Sequence, residues 1–445
     1  MIELSAEVTT FVMLGGVLLG VLTGFPFAFA IGGMAIIMGY LLFGTSSFDL
    51  IYSRVFSLVT NYILLAVPLF VFMGSMLEHS GIAEKMYDSL YLWMGRLRGG
   101  LAIVTILLGT VLAATVGVIA ASIAMLSLSA LPAMVKRGYD KGLASGSIVA
   151  AGCLGILIPP SVMLVIYGPM ATISVGKLFM AAFMPGFLLS ALYMIYIAIK
   201  CHLEPEVAPP LPPEETSKVS FGKKTTMLII AVVPVSILVL AVLGVIFLGI
   251  APPTEAAASG AFVATLLAVA YGKFNLKVLK KTSLDTMRMT AMIFMIGSCS
   301  FAFVGVFLSA GGGKVVENLI LATPGGAWGA FFVIQLLIFL LGFFLDWIGI
   351  LFITIPILSP LIPVLGFDSL WFAMMICVNL QTSFMTPPFA PGIFFLRGTA
   401  DPALGVSMAD IIRGIWPFVI MVLVGLALMV AFPEIILWLP AKMIK

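Results

Sequence analysis

The sequence predicts an all-α polytopic membrane protein built from two inverted repeats, each with a re-entrant hairpin and a broken helix. Three observations lead there. The 445 residues are 62% hydrophobic and 9% charged, with a mean hydropathy of +1.24, which no soluble globule shows. Apolar stretches of about 18–20 residues recur along the chain, each long enough to span a hydrocarbon core of roughly 30 Å. Two such stretches are interrupted by paired prolines, Pro159-Pro160 and Pro387-Pro388, which lie 228 residues apart. Proline removes a backbone donor and clashes with the preceding turn. In lipid the freed carbonyls need partners, so broken helices persist only where protein or a wet cavity supplies them. Discontinuous helices in corresponding halves are the best sequence pointer to a transporter's binding site.

Composition also excludes other classes. Cys153, Cys201, Cys299 and Cys377 are dispersed, His79 and His202 are far apart, and no metal or redox spacing occurs. No Gly-x-x-x-x-Gly-Lys-Ser/Thr pattern is present, so the chain is expected to draw on an ion gradient rather than ATP. No basic patch suggests nucleic acid, and no cofactor is expected beyond coupling ions. Residues 1–7 carry no basic stretch or small-residue cleavage site, so no signal peptide is expected.

In chain order, helices are expected near 7–24 and 26–44, divided by Gly24-Phe25-Pro26, then an amphipathic stretch at 48–60 and a helix at 62–78. Residues 79–99 read as a polar, basic loop. Segment 100–131 is apolar but too long for one span, with Thr115-Val116-Gly117 at its middle, and is expected to be a re-entrant hairpin. A charged turn, Lys136-Arg137-Gly138-Tyr139-Asp140-Lys141, leads into the broken helix at 142–176 and a further helix to about 200. The stretch 201–224, with Pro209-Pro210-Leu211-Pro212-Pro213, reads as a cytoplasmic linker between repeat 1 (1–200) and repeat 2 (225–445).

Repeat 2 carries the punctuation of repeat 1. At an offset of 228, Pro132 falls on Pro360, Gly138 on Gly366, Asp140 on Asp368 and the first proline pair on the second. Its hairpin is expected at 328–359 and its broken helix at 373–398. Charge then gives the orientation. Loops 79–99 and 132–141 are basic in repeat 1, whereas in repeat 2 the basic loop is 272–288, and 310–327 and 360–372 are almost uncharged. By the positive-inside rule equivalent loops lie on opposite faces, so the repeats are inverted. The N-terminus is then periplasmic, and only Arg54, Lys177, Lys314, Lys442 and Lys445 of the 22 Lys and Arg lie outside.

Each hairpin tip is expected to face a broken helix. Unwound carbonyls and half-helix ends suit Na⁺ and an anionic solute respectively. The sodium candidates are Thr115, Gly117, Gly155 and Ile158 in repeat 1 and Asp346, Asn379, Thr382 and Met385 in repeat 2. The substrate candidates are Ser122, Pro159, Pro160 and Ser161, then Thr386, Pro387, Pro388 and Arg397. Asp346 is an acid within an apolar segment, which is costly and points to cation binding, with a structural hydrogen bond to a helix end as the other reading. Its counterpart in repeat 1 is Val118, so the two cation sites are expected to differ. The hydroxyls also have a plain reading, bonding within their own helices. Arg397 either holds a carboxylate or anchors the chain at the cytoplasmic face, and Glu255 caps a helix start.

These residues resemble the large membrane subunit (DctM-like) of tripartite ATP-independent periplasmic, or TRAP, transporters. The resemblance rests on Val67-Pro68-Leu69-Phe70, Leu131-Pro132-Ala133-Met134 with Arg137-Gly138-Tyr139-Asp140, and Gly155-Ile156-Leu157-Ile158-Pro159-Pro160-Ser161. In the second half it rests on Pro253-Thr254-Glu255-Ala256, Phe344-Leu345-Asp346 and Thr386-Pro387-Pro388. The Pro-rich connector is similar to that of the mannitol/chloroaromatic-type subgroup. Val116-Gly117-Val118 departs from the family's usual Ser-Gly-Ser tip and shifts weight there to backbone carbonyls, Thr115 and Ser122. The resemblance implies sodium-coupled symport of an organic acid by an elevator mechanism in the bacterial inner membrane. It further implies a periplasmic substrate-binding protein and a small membrane subunit of about four helices as separate partners. A stand-alone ion-coupled di- or tricarboxylate carrier of similar architecture is the alternative. An enzyme is not expected.

Overall fold

The computed structural model describes residues 2–95, 97–116, 119–210, 220–388 and 390–443, with backbone alone at 83, 84, 88, 114–116 and 221. Every regular element among them is a helix. The first half holds α1 (Ala6–Leu22), α2 (Phe27–Phe43), α3 (Ser46–Val59), α4 (Ala66–Glu78) and α5 (Ile82–Met94). It continues with α6 (Gly100–Val116), α7 (Ile119–Val135), α8 (Lys141–Cys153), α9 (Val162–Ala171) and α10 (Val175–Leu203). The second half holds α11 (Phe221–Val239), α12 (Pro253–Ala270), α13 (Leu276–Ser309), α14 (Gly312–Leu321) and α15 (Gly326–Leu341). Then follow α16 (Trp347–Leu358), α17 (Ser369–Met385), α18 (Pro391–Thr399) and α19 (Met408–Ala431). Among the described residues, five helices are long and apolar enough to cross a membrane, or six if α3 and α4, bent by 53° at the turn between them, count as one span.

The residues that punctuate the two halves do matching work. Gly138 (φ +78°) and Gly366 (φ +80°) occupy the left-handed region, which costs other residues a Cβ clash. Two residues later an aspartate caps a helix in each case. Asp140 Oδ1 accepts from the Leu143 amide at 2.9 Å, and Asp368 Oδ1 accepts from the Leu370 and Trp371 amides at 2.9 and 2.8 Å. α8 and α17 therefore start 228 residues apart.

The long α13 is the spine against which α2, α3, α4 and α16 pack, while α4 also packs on α12. α8 packs against α6, α7 and α19. Small residues make this possible: a Cβ on Gly32 would meet Cys299 Sγ at 2.9 Å, and one on Gly297 would meet Phe352 at 2.9 Å.

Loops gather on two faces. On one, the Gly99 amide donates to Ala208 O at 3.2 Å and the Asp140 amide to Val207 O at 2.8 Å. Arg413 pairs with Asp140 at 2.9 Å, Lys141 Nζ donates to Gly405 O at 2.7 Å, and Lys85 Nζ lies 4.3 Å from the Tyr271 ring. On the other, Tyr62 Oη donates to Glu255 at 2.8 Å, and the Trp371 indole donates to Met429 O at 3.1 Å. Trp328, Phe367 and Trp371 cluster there by edge contacts and stacking.

Three loop expectations need correction. Residues 79–99 contain α5, because Ile82, Met86 and Tyr87 recur at helical spacing and bury one face while Lys85 points outward. The 310–327 loop contains α14 for the same reason, and Leu276 already opens α13 inside the 272–288 segment. Short amphipathic helices were hidden by their charge. The two hairpins also differ: α6 and α7 pack on each other, whereas α15 packs on α17 and α16 on α13 and α9.

Candidate functional site

The proline pairs break their helices as their chemistry demands. α8 passes into a 3₁₀ turn, Leu154–Ile156, and helical structure resumes at Val162. α17 ends at Met385 and α18 resumes with Pro391 at its first position, where a missing N–H costs nothing. Ser161 Oγ donates to the Ile156 carbonyl freed by the first break. Thr386 Oγ1 donates to the Thr382 carbonyl at 2.7 Å, which the Thr386 amide also reaches at 2.9 Å. Both hydroxyls keep their lone pairs and remain able to accept or to face a cation.

Each break lies against a helix pair of its own half. A Cβ on Gly152, in α8, would overlap Ile123 of α7, and one on Gly342 would overlap the Ser383 side chain of α17. Across the halves, α7 packs on α18 and α9 on α16. Between these packed helices lies a partly open cavity of about 100 Å³.

The cavity's lining is ordered by helix ends. Ile119 and Ala120 open α7, Val162 opens α9, Trp347 and Ile348 open α16, and Pro391 opens α18. Four helix N-termini thus converge on one space, and a helix N-terminus offers amides without intrahelical partners and the positive end of a dipole. Ile156 and Phe384 add the carbonyl ends of the two broken helices. Asp346, the residue before α16, is the one charged side chain among the described lining residues. Val71 of α4 and Met289, Met292 and Ile293 of α13 form an apolar wall.

The other sequence candidates fall into groups. Gly155, Ile158, Pro159, Pro160 and Ser161 are buried within the first break, and Met385 and Thr386 are buried in the second, beside half-buried Pro387 and exposed Pro388. Asn379 Nδ2 donates to the backbone carbonyl and Oε1 of Gln335, at 2.7 and 2.9 Å, tying α17 to α15. Thr382 Oγ1 donates to the Asn379 carbonyl at 2.6 Å. Ser122 is buried with no partner for its hydroxyl among the described residues. Arg397 is exposed and donates to the Val406 carbonyl at 2.7 Å, away from the cavity lining. The Thr115 side chain and Gly117 lie outside the described residues.

Sequence reasoning missed Gln335, and it missed Gln381, whose amide is fully buried with neither polar atom partnered among the described residues. A glutamine inside an apolar helix is a readable signal, on the same ground that singled out Asp346. The wall from α4 and α13 carried none, because Val, Met and Ile are what any buried helix shows.

Apolar helices, two of them broken, around a cavity rimmed by helix ends define a polytopic helical membrane transporter. The chain belongs to the family described as "Tripartite ATP-independent periplasmic transporter, DctM component", whose family model matches residues 14–435. It is 29% identical over 409 residues to the C4-dicarboxylate TRAP transporter large permease protein DctM of Pseudomonas aeruginosa, covering 92% of this chain and 93% of that protein. It is 26% identical to the ectoine TRAP transporter large permease protein TeaC of Halomonas elongata, covering 94% and 96%. Among solved structures, the Alcanivorax borkumensis YdaH transporter shares the fold, with a TM-score of 0.57 and 15% identity over 97% of this chain and 99% of that one. The relatives are permeases, and the chain is the large permease component of a TRAP transporter rather than an enzyme.

Proposed function

We propose that this permease takes up an organic acid across the bacterial inner membrane by sodium symport, with an elevator movement of the broken helices and hairpins. The observation that carries the reading is the convergence of four helix N-termini on one cavity that also holds Asp346. Amide ends stabilise a carboxylate, and a carboxylate beside helix carbonyl ends stabilises a monovalent cation. Solute and ion then lower each other's cost of entering a low-dielectric space. The cation sites are unequal: one relies on Asp346, the other on backbone around Gly155 and Ile158. Two inverted repeats, 1–200 and 225–445, carry this pair, with the basic loops and the linker in the cytoplasm and the N-terminus outside. A periplasmic binding protein delivers the solute, and a small membrane subunit completes the scaffold.

The test is uptake into proteoliposomes holding this chain, its small subunit and a solute-loaded binding protein. Uptake should require an inward sodium gradient and collapse when potassium replaces sodium. Asp346→Asn should lower the initial rate about tenfold or more, the scale of one lost charged contact. Equal uptake in potassium, or uptake by this chain alone, would falsify the reading.

A further inference from the structure

The central cavity, at about 100 Å³, is far below the roughly 300–1,000 Å³ of small-molecule sites. A second space reaches that size. An open cleft of about 850 Å³ lies between α7 and the ends of α4, α5 and α13. Its floor is a stripe down α7 that includes Ala124, Met125 and Leu128. Its rim carries His79, Lys136, Arg137 and Lys281, with Glu78 the one acid among the described lining residues. These residues come from three segments distant in sequence, and the fold brings them to one mouth. Lys136 and Lys281 form no ion pair among the described residues, while Arg137 stacks over Tyr91, its guanidinium carbon 5.2 Å from the ring centroid.

Cleft and cavity share two walls. α7 gives Ile119 and Ala120 to the cavity and Ala124 onward to the cleft. α13 gives Met289, Met292 and Ile293 to the cavity and Lys281 to the cleft. At about 1.5 Å per residue, roughly 6 Å of α7 and 12 Å of α13 separate the two spaces. α7 and α13 therefore each reach from the helix-end cavity to the basic cleft.

We propose that this cleft is the exit vestibule of the permease, a second, weaker site for an organic anion. Lys136 and Lys281 draw a carboxylate out of the cavity, and the apolar stripe of α7 receives the rest of the solute. A mouth with an excess of positive charge, set in low-dielectric walls, concentrates anions within about a Debye length of 8–10 Å. This inference rests on the proposed reading of the solute as an anion, and its test does not need the solute.

Leu128→Cys would be placed in the cleft of the complete transporter, in membrane vesicles opened to either side. A small anionic methanethiosulfonate should modify it faster than a cationic one, by about tenfold or more relative to a free thiol. Reaction should come from the cytoplasmic side. Lys136→Gln with Lys281→Gln should bring the ratio back toward that of the free thiol, and Lys136→Arg with Lys281→Arg should preserve it, which separates charge from folding. A ratio unchanged by neutralisation, labelling from the periplasmic side alone, or exclusion of both reagents by a resident lipid would each overturn the vestibule. Sodium-driven uptake is measured apart: its absence with the ratio intact defeats the functional reading and leaves the anion-attracting cleft standing.

Discussion

Gly414 of α19 rests directly on the backbone of Gly142 in α8, so closely that a Cβ there would overlap the Gly142 carbonyl. A Cβ on Gly146, one turn along, would overlap the Gly414 carbonyl in return. The first broken helix thus packs backbone to backbone on a helix of the other half. Gly414→Val should cost more than the roughly 1–3 kcal/mol of ordinary overpacking, since rigid backbone leaves no room to relax. Monodisperse yield in detergent should fall sharply. Gly15→Ala, where a Cβ meets nothing within 4 Å, should leave it unchanged.

The same junction has a polar clasp. Asp140 caps α8 through Leu143 at 2.9 Å and pairs with Arg413, 273 residues away, at 2.9 Å. The ion pair is solvent-accessible, with 68% and 37% of the two side chains exposed, so it adds only about 0–1 kcal/mol. The cap contributes about 1 kcal/mol. Thermal unfolding should therefore rank Asp140→Ala as most damaging, Arg413→Ala as mild, and Asp140→Asn as mildest, because asparagine retains the cap. A larger loss for Arg413→Ala than for Asp140→Ala would contradict this division.

Burial pushes the Tyr139 hydroxyl from the usual 10.0 up to about 12, while its oxygen accepts from the Leu101 amide at 3.3 Å. A raised folded value means that the unfolded chain loses its proton first. Stability from this group is complete below pH 10 and is lost as pH climbs toward 12. Tyr139→Phe should flatten the alkaline limb of a melting-temperature profile between those values. An unchanged slope would show that Tyr139 does not govern it.

Sidedness is open to direct measurement. Lys85→Cys, exposed over Tyr271 at the end of α12, and Lys177→Cys, exposed at the start of α10, lie on opposite faces, since the far end of α10 leads to Val207 and Ala208 on the first face. An impermeant maleimide should reach the first from the cytoplasm and the second from the periplasm. Cys153, Cys201 and Cys377 are buried and should contribute little background. Labelling of both from one side would refute the threading.

Much of this molecule is legible in its residues. Glycine, proline and capping aspartate act locally, so Gly138, Asp140 and the proline pairs announced where helices start and break. Asp346 announced itself because a charge in an apolar segment has few reasons to be there. Arg397 was ambiguous, since a cation near a helix end serves an anchor and a ligand equally well. Its bond to Val406 depends on a chain bend that its own sequence does not reveal. Segment 79–99 misled because charge outweighed a one-sided apolar stripe.

The sequence by itself determined class, helix boundaries at the breaks and the pairing of the two halves, because those follow from backbone chemistry and from the cost of polar groups in lipid. Tertiary structure alone decided which helix ends meet. Packing of α7 on α18 and α9 on α16 turns four separate N-termini into one cavity, and α13 lays an apolar wall beside it. It also gathered His79, Lys136 and Lys281 at one mouth. Such meetings are set by shape complementarity between elements hundreds of residues apart, which no local pattern of residues encodes.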